Sequence, residues 1–122
     1  MGWRGIRGAV SVDANEVDAI VAATRKLLEQ IVVANDLQVE DLISAIFTAT
    51  PDLDAAYPAR AAREIGWVDV PLMCMQEMAV VGSLPRCVRV LVLWNTRLPP
   101  NQVRHVYLGE AQALRPDLLG GH

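Results

Sequence analysis

With 122 residues, 52% of them hydrophobic and 20% charged, the chain has the size of one domain and is too apolar for disorder. Its net charge of −3, with arginines scattered singly through apolar segments, argues against a nucleic-acid surface. No segment reaches the roughly 18 consecutive apolar residues of a membrane span, and no basic stretch near the start leads into an unbroken apolar core, so the cytoplasm is the expected compartment. Cys74 and Cys87 then read as a reduced pair. The apolar share also exceeds what one small domain hides, which predicts a homo-oligomer.

Residues 3–10 read as a first strand, with Arg4 and Arg7 set between small residues where a ligand can approach the backbone. Asp13-Ala14-Asn15-Glu16 offers an acidic N-cap at Asp13 with a glutamate three residues on, a variant of the capping box. Val17, Ile20, Val21, Thr24, Leu27, Leu28, Ile31 and Val32 recur at helical spacing up to Asn35-Asp36, so one face of a long helix packs on a sheet. Residues 42–50 are β-branched and apolar and stop at Pro51-Asp52, a second strand. Pro58 suits a helix start, and 57–64 form a short helix with Arg60 and Arg63 near its beginning; the helix dipole favours anions there, a placement that suits an acidic ligand.

A third strand is predicted over 68–75, a turn over 81–85 and a fourth strand over 87–94. After the break at Pro99-Pro100 come a short fifth strand over 105–108, a candidate sixth over 111–114 and a frayed tail at Gly120-Gly121-His122. The order describes an α/β (α+β) single domain whose mixed sheet is flanked by one long and one short helix. With so few helices, the second face of that sheet calls for another subunit.

Val88-Arg89-Val90-Leu91-Val92-Leu93-Trp94 reads as a buried strand with an arginine inside it. A desolvated guanidinium without a partner is costly, so Arg89 needs a carboxylate or a bound anion. Arginine suits forked recognition of carboxylates, and Arg7, Arg60, Arg63, Arg89 and Arg115 all lie in or beside apolar segments. Salt bridges to Asp52, Asp54, Glu64, Glu77 or Asp117 are the competing reading, weakest for Arg89. Glu77 ends an apolar strand, where its carboxylate accepts from a ligand or pairs with an arginine. Strict alternation puts Cys74 and Glu77 on opposite faces, so both touch one ligand only if the strand bulges or ends before Glu77.

Cys74 has no histidine nearby in sequence to activate it and reads more readily as a small core residue than as a nucleophile. Tyr107 fits the core or a ligand donor equally. His105 and His122, with two distant cysteines, make no zinc spacing. Gly5-Ile6-Arg7-Gly8 matches neither the dinucleotide fingerprint nor a P-loop, and there is no Gly-x-Ser-x-Gly elbow. Any chemistry is therefore expected to rest on positioning and electrostatics, with neither metal nor cofactor.

Taken together, Arg4-Gly5-Ile6-Arg7-Gly8-Ala9, Ala49-Thr50-Pro51-Asp52-Leu53, Pro58-Ala59-Arg60-Ala61-Ala62-Arg63-Glu64, Cys74-Met75-Gln76-Glu77-Met78, Cys87-Val88-Arg89-Val90 and Arg104-His105-Val106-Tyr107-Leu108 resemble the monofunctional bacterial chorismate mutases of the trimeric mixed α/β type. The likeness runs in register from about residue 4 to Leu118. It implies a domain over 1–118 with a tail at 119–122, a homotrimer with a pseudo-α/β-barrel core, and clefts at the subunit interfaces. It also implies conversion of chorismate to prephenate, in phenylalanine and tyrosine biosynthesis, without a cofactor. The reaction is an intramolecular Claisen rearrangement that breaks one C–O bond as a C–C bond forms, and it needs no nucleophile.

The resemblance further implies that Arg89 donates to the ether oxygen as negative charge gathers there, and that Arg7 binds a substrate carboxylate. Glu77 would accept from the ring hydroxyl and face positive charge on the ring, Cys74 would contact the same hydroxyl, and Tyr107 would reach a carboxylate. Tyr57, Ala59, Arg60 and Arg63 of a neighbouring subunit would wall the cleft with Leu72 and Met73, while Leu114 and Arg115 close over it. Tyr57 stands where Phe is familiar in the family, Arg60 where Lys is, and Met73 where a smaller polar residue occurs, differences that bear on affinity. A non-catalytic trimer that binds a small carboxylate through the same arginines is the alternative. Glu77 separates the two readings, because a pure carboxylate receptor gains nothing from an anion in its cleft.

Overall fold

Alternation along two nine-residue strands, β1 (Trp3–Ser11) and the strand Cys87–Asn95, decides which residues meet the helices. The computed structural model describes residues 2–114. After β1 come α1 (Val17–Asn35), β2 (Leu42–Ala49), α2 (Ala59–Glu64), β3 (Leu72–Gln76), β4 (Cys87–Asn95) and β5 (Val106–Leu108), with 3-10 turns at Val39–Asp41, Pro100–Gln102 and Gly109–Leu114. The five strands form one sheet in the order β3-β2-β4-β1-β5. It is mixed: β4 runs antiparallel to both β1 and β2, whereas β1 with β5 and β2 with β3 are parallel. Single-domain α+β architecture with a mixed sheet is thus what the sequence led us to expect.

On one face Val88, Val90 and Val92 join Ile6, Val10, Ala45 and Phe47 in the core. The long helix covers them with Ile20, Val21, Thr24, Leu27, Leu28 and Ile31, the stripe read from the sequence. Gly8 lets the helix lie close, since a Cβ there would stand 2.9 Å from Ile31 Cδ1, 3.1 Å from Leu27 Cδ1 and 3.2 Å from the Val106 carbonyl oxygen. The C-terminus of α1 falls at Asn35 as predicted. Asp36 takes the left-handed conformation, at φ 48, and its N–H closes back on the Val32 and Val33 carbonyls.

Among the described residues no helix lies over the opposite face. Arg89, Leu91 and Leu93 point there, beside Arg7, Ile46, Met73 and Met75, with Met73 54%, Met75 48% and Leu91 40% exposed. Its end near Ala9 and Cys87 is closed by the 3-10 turn carrying Ala111, with Tyr107 and Leu114 packed alongside.

Local expectations need correction in four places. Asp13 is not the N-cap: the helix begins at Val17 with Glu16 in the capping position and no side-chain cap. The loop before it is fixed from elsewhere, by Asn15, which donates to Asp54 Oδ1 at 2.7 Å and accepts from the N–H groups of Asp54 and Ala55. The third strand begins at Leu72, not at Val68, because Trp67 and Val70 are drawn into the core and Pro71 offers no N–H to a ladder. Residues 111–114 form no sixth strand. Gly109, at φ +61, turns the chain so that the Glu110 N–H reaches Ser11 Oγ at 2.9 Å, and the alanines that follow have little strand preference. Finally, α2 is so short that Arg63 lies in its last turn, where a cation is favourable, and Arg60 pairs with Glu64 at 3.4 Å, so the helix does not gather cations at its N-terminus for a ligand. Arg115 and the tail at 119–122 lie outside the described residues.

Candidate active site

Pairing across the sheet sets Tyr107, Ala9, Arg89, Thr48 and Met75 in one row on the bare face, one from each strand. The next row carries Arg7, Leu91, Ile46 and Met73. Between these rows lies an open cleft of about 310 Å³, lined by Arg7, Ile46, Thr48, Glu77, Arg89, Leu91 and Tyr107. Four of the five residues expected to be catalytic therefore converge: Arg7, Glu77, Arg89 and Tyr107.

Glu77 is the first residue past β3. Its N–H continues the ladder to the Ala49 carbonyl at 2.9 Å, and its side chain falls on the bare face with Met73 and Met75, as strand alternation requires. There Oε2 lies 3.4 Å from Arg89 Nε and accepts a hydrogen bond from Thr48 Oγ1 at 2.5 Å. The carboxylate that Arg89 required is thus Glu77, within the same chain. Arg89 is not desolvated throughout, as its strand context suggested, because its neighbours Val88 and Val90 face the helix while its own side chain, 39% exposed, faces the cleft. Its Nε is buried and makes no hydrogen bond, so the pair is an ion pair without the short linear contact of a clenched one.

The surrounding elements hold these groups by backbone contacts. The Arg7 N–H donates to His105 Nδ1 at 2.9 Å, which ties the approach to β5 onto β1, while the Arg7 side chain is exposed. Asn35 donates to the Arg104 carbonyl and accepts from the Arg104 N–H at 2.9 and 2.8 Å, anchoring the segment that delivers Tyr107 to the end of α1. At the start of β4, Thr50 Oγ1 donates to Asp52 and accepts from the Cys87 N–H, and Asp52 accepts from the Arg86 N–H, which fixes the strand that carries Arg89.

A second group lies apart. Tyr57, Ala59, Arg63, Leu72 and Cys74 line a pocket of about 290 Å³ that adjoins a larger one of about 450 Å³ running along 49–58 and past Cys74 to Gln76. Leu72 and Cys74 point to the face of β3 opposite Met73 and Met75, so within one chain Cys74 is not brought to the Glu77 carboxylate although the strand does end before Glu77. Met73 faces the bare side. Arg60 lines neither pocket and sits in a shallow groove between the helices with Asp18, Arg25 and Glu64. Leu114 packs on the Ala9 and Cys87 cluster.

Burial pushes the Cys87 thiol up, against the opposing pull of the Arg89 charge, so this cysteine is an inert core thiol. The Asp52 carboxyl is held below its ordinary value, first by the Thr50 hydroxyl and then by the Arg86 N–H and charge. Among the described residues no three His, Cys, Asp or Glu side chains converge as metal ligands, and no helix is long and apolar enough to cross a membrane. Thr48, Ile46 and Leu91 line the cleft but were not singled out by the sequence. Only the pairing of β2 with β4, which no single-chain pattern encodes, sets Thr48 opposite Arg89.

The fold and cleft define a small α/β protein that presents paired charges of opposite sign from an uncovered sheet face. Comparison with known proteins is more specific. The family model for chorismate mutase type I matches residues 3–118, and the chain belongs to that family. It is 55% identical to chorismate mutase AroH of Thermus thermophilus over 116 residues, covering 94% of this chain and 95% of that protein. It is 47% identical to chorismate mutase AroH of Bacillus subtilis (strain 168), covering 94% and 91%. A solved chorismate mutase from Clostridium thermocellum superposes with a TM-score of 0.88 at 50% identity, over 89% of this chain and 97% of that one.

Proposed function

We propose that this chain isomerises chorismate to prephenate in aromatic amino acid biosynthesis, in the cytoplasm, at clefts shared between the subunits of a homotrimer. Membership of the chorismate mutase family supports the reaction. The observation that carries the site assignment is the Glu77–Arg89 pair at 3.4 Å in a cleft that also holds Arg7 and Tyr107. A guanidinium and a carboxylate side by side match a transition state in which the ether oxygen gains negative charge while the ring gains positive charge.

Arg89 donates to the ether oxygen, Arg7 and Tyr107 hold substrate carboxylates, and Glu77 accepts from the ring hydroxyl and faces the ring. Holding chorismate in its folded diaxial form brings the two carbons that bond into reach, which supplies the entropic part of the acceleration. The bare sheet face and the separation of the Tyr57, Ala59, Arg63, Leu72 and Cys74 pocket from the Arg89 cleft support a site completed by a second copy of the chain. In that assembly Arg60 and Met73 lie on the wall or rim of the cleft.

The test is to add purified protein to chorismate and follow loss of its diene absorbance, with the product identified as prephenate by acid conversion to phenylpyruvate. Saturable turnover without added metal or cofactor is expected. Binding of chorismate without turnover would overturn the reaction and favour a carboxylate-binding module. Sedimentation at micromolar concentration is expected to give three times the 13.3 kDa chain mass, and a stable monomer that turns over chorismate would remove the shared cleft.

A further inference from the structure

Resting on that reading of the cleft, we propose that Thr48 is a positioning residue, which holds the Glu77 carboxylate open so that the Arg89 guanidinium stays available to the substrate. A carboxylate within reach of an arginine tends to close onto it as a two-pronged fork, with two parallel N–H to O bonds. A fork of that kind would satisfy the donors that the reaction needs. Here the pair has not closed. Arg89 Nε lies 3.4 Å from Glu77 Oε2 and, although buried, makes no hydrogen bond.

Oε2 is held instead by Thr48 Oγ1 at 2.5 Å. This hydroxyl is delivered by the sheet itself. Thr48 pairs directly with Arg89 across β2 and β4, and with Met75 across β2 and β3, two residues before Glu77. Its hydroxyl therefore stands between the strand that carries the base of the guanidinium and the chain that carries the acid. Thr48 is β-branched, so its rotamer is restricted and the hydroxyl is fixed without help from a ligand. By anchoring one oxygen it leaves the other, Oε1, to serve the substrate. Valine has the same shape without the donor, and serine keeps the donor with a looser rotamer.

The experiment compares Thr48→Val and Thr48→Ser with the unaltered protein in chorismate turnover, each checked by its melting temperature. A hydrogen bond to a charged group corresponds to about a 10- to 100-fold effect. Thr48→Val is expected to lower kcat by at least about tenfold, with KM changed by less than about threefold. Thr48→Ser should recover kcat to within about threefold. A purely structural role would lower stability without this split and without rescue by the hydroxyl. Thr48→Val with kcat within about twofold of the unaltered protein would overturn the proposal, as would a loss carried by KM alone, or a folded Thr48→Ser as slow as Thr48→Val. Should Thr48→Val not fold, Thr48→Ala against Thr48→Ser makes the same comparison. Absence of turnover by the unaltered protein would instead defeat the reading of the site, so the two failures are distinct.

Discussion

Replacing Arg89 by lysine keeps the charge and removes the planar fork, which isolates geometry from electrostatics. In the structure Nε is buried beside Glu77 Oε2, while the side chain as a whole is 39% exposed and lines the cleft. A lysine ammonium is a single compact centre. Drawn to the Glu77 carboxylate, it has no second nitrogen at a fixed angle with which to reach a ligand oxygen. The loss is thus one preorganised donor at a developing oxyanion, about 3–4 kcal/mol, or at least roughly a hundredfold in kcat. The ion pair with Glu77 survives, and a partly exposed pair contributes about 0–1 kcal/mol to stability, so the melting temperature should move little. Steady-state kinetics by loss of chorismate absorbance, alongside a thermal melt, measures both. A folded Arg89→Lys protein with kcat within about threefold of the original would refute the role given to the guanidinium.

Glu77→Gln keeps the shape and the acceptor but removes the charge; turnover should fall by about tenfold or more while chorismate affinity, measured by calorimetry, is retained or improved. Gly8→Ala introduces a Cβ 3.2 Å from the Val106 carbonyl oxygen and 2.9 Å from Ile31 Cδ1. It should destabilise by about 1–3 kcal/mol, read as a lower denaturation midpoint, and no change would show that α1 yields easily. Asp52→Asn tests the turn before β4. Because the folded carboxyl is held below its value in the unfolded chain, its contribution is complete above about pH 4 and is lost as the pH falls through the folded value. The stability gap to Asp52→Asn, about 1 kcal/mol at pH 7 given the exposure of this side chain, should therefore narrow in denaturant melts as the pH is lowered below about 4.

Much of the local structure was legible because it follows from periodicity. The stripe from Ile20 to Ile31 marks a helix that covers a sheet, and the β-branched run that ends at Trp94 marks a strand. Capping was less legible: Asp13 and Glu16 have the right spacing, but the entry to α1 is fixed by Asn15 acting on a loop 39 residues away. The sixth strand failed for a related reason, since the path after Leu108 is decided by Gly109 and by Ser11 at the far end of the chain.

Which chemistry is present can be read along the chain: arginines in apolar settings, one glutamate at a strand end, and no nucleophile beside a base. Those are properties of residue types and their immediate neighbours. Which charges meet is settled by the pairing of the strands. Glu77 keeps the alternation that sets it against Cys74, on the face of Met73 and Met75, and there it meets Arg89 and Thr48, residues 12 and 29 positions away along the chain. Strand register is a long-range property, set by how the whole sheet packs beneath α1, and a shift of one residue would turn Arg89 into the core. The residues were visible along the chain; their convergence depended on the register.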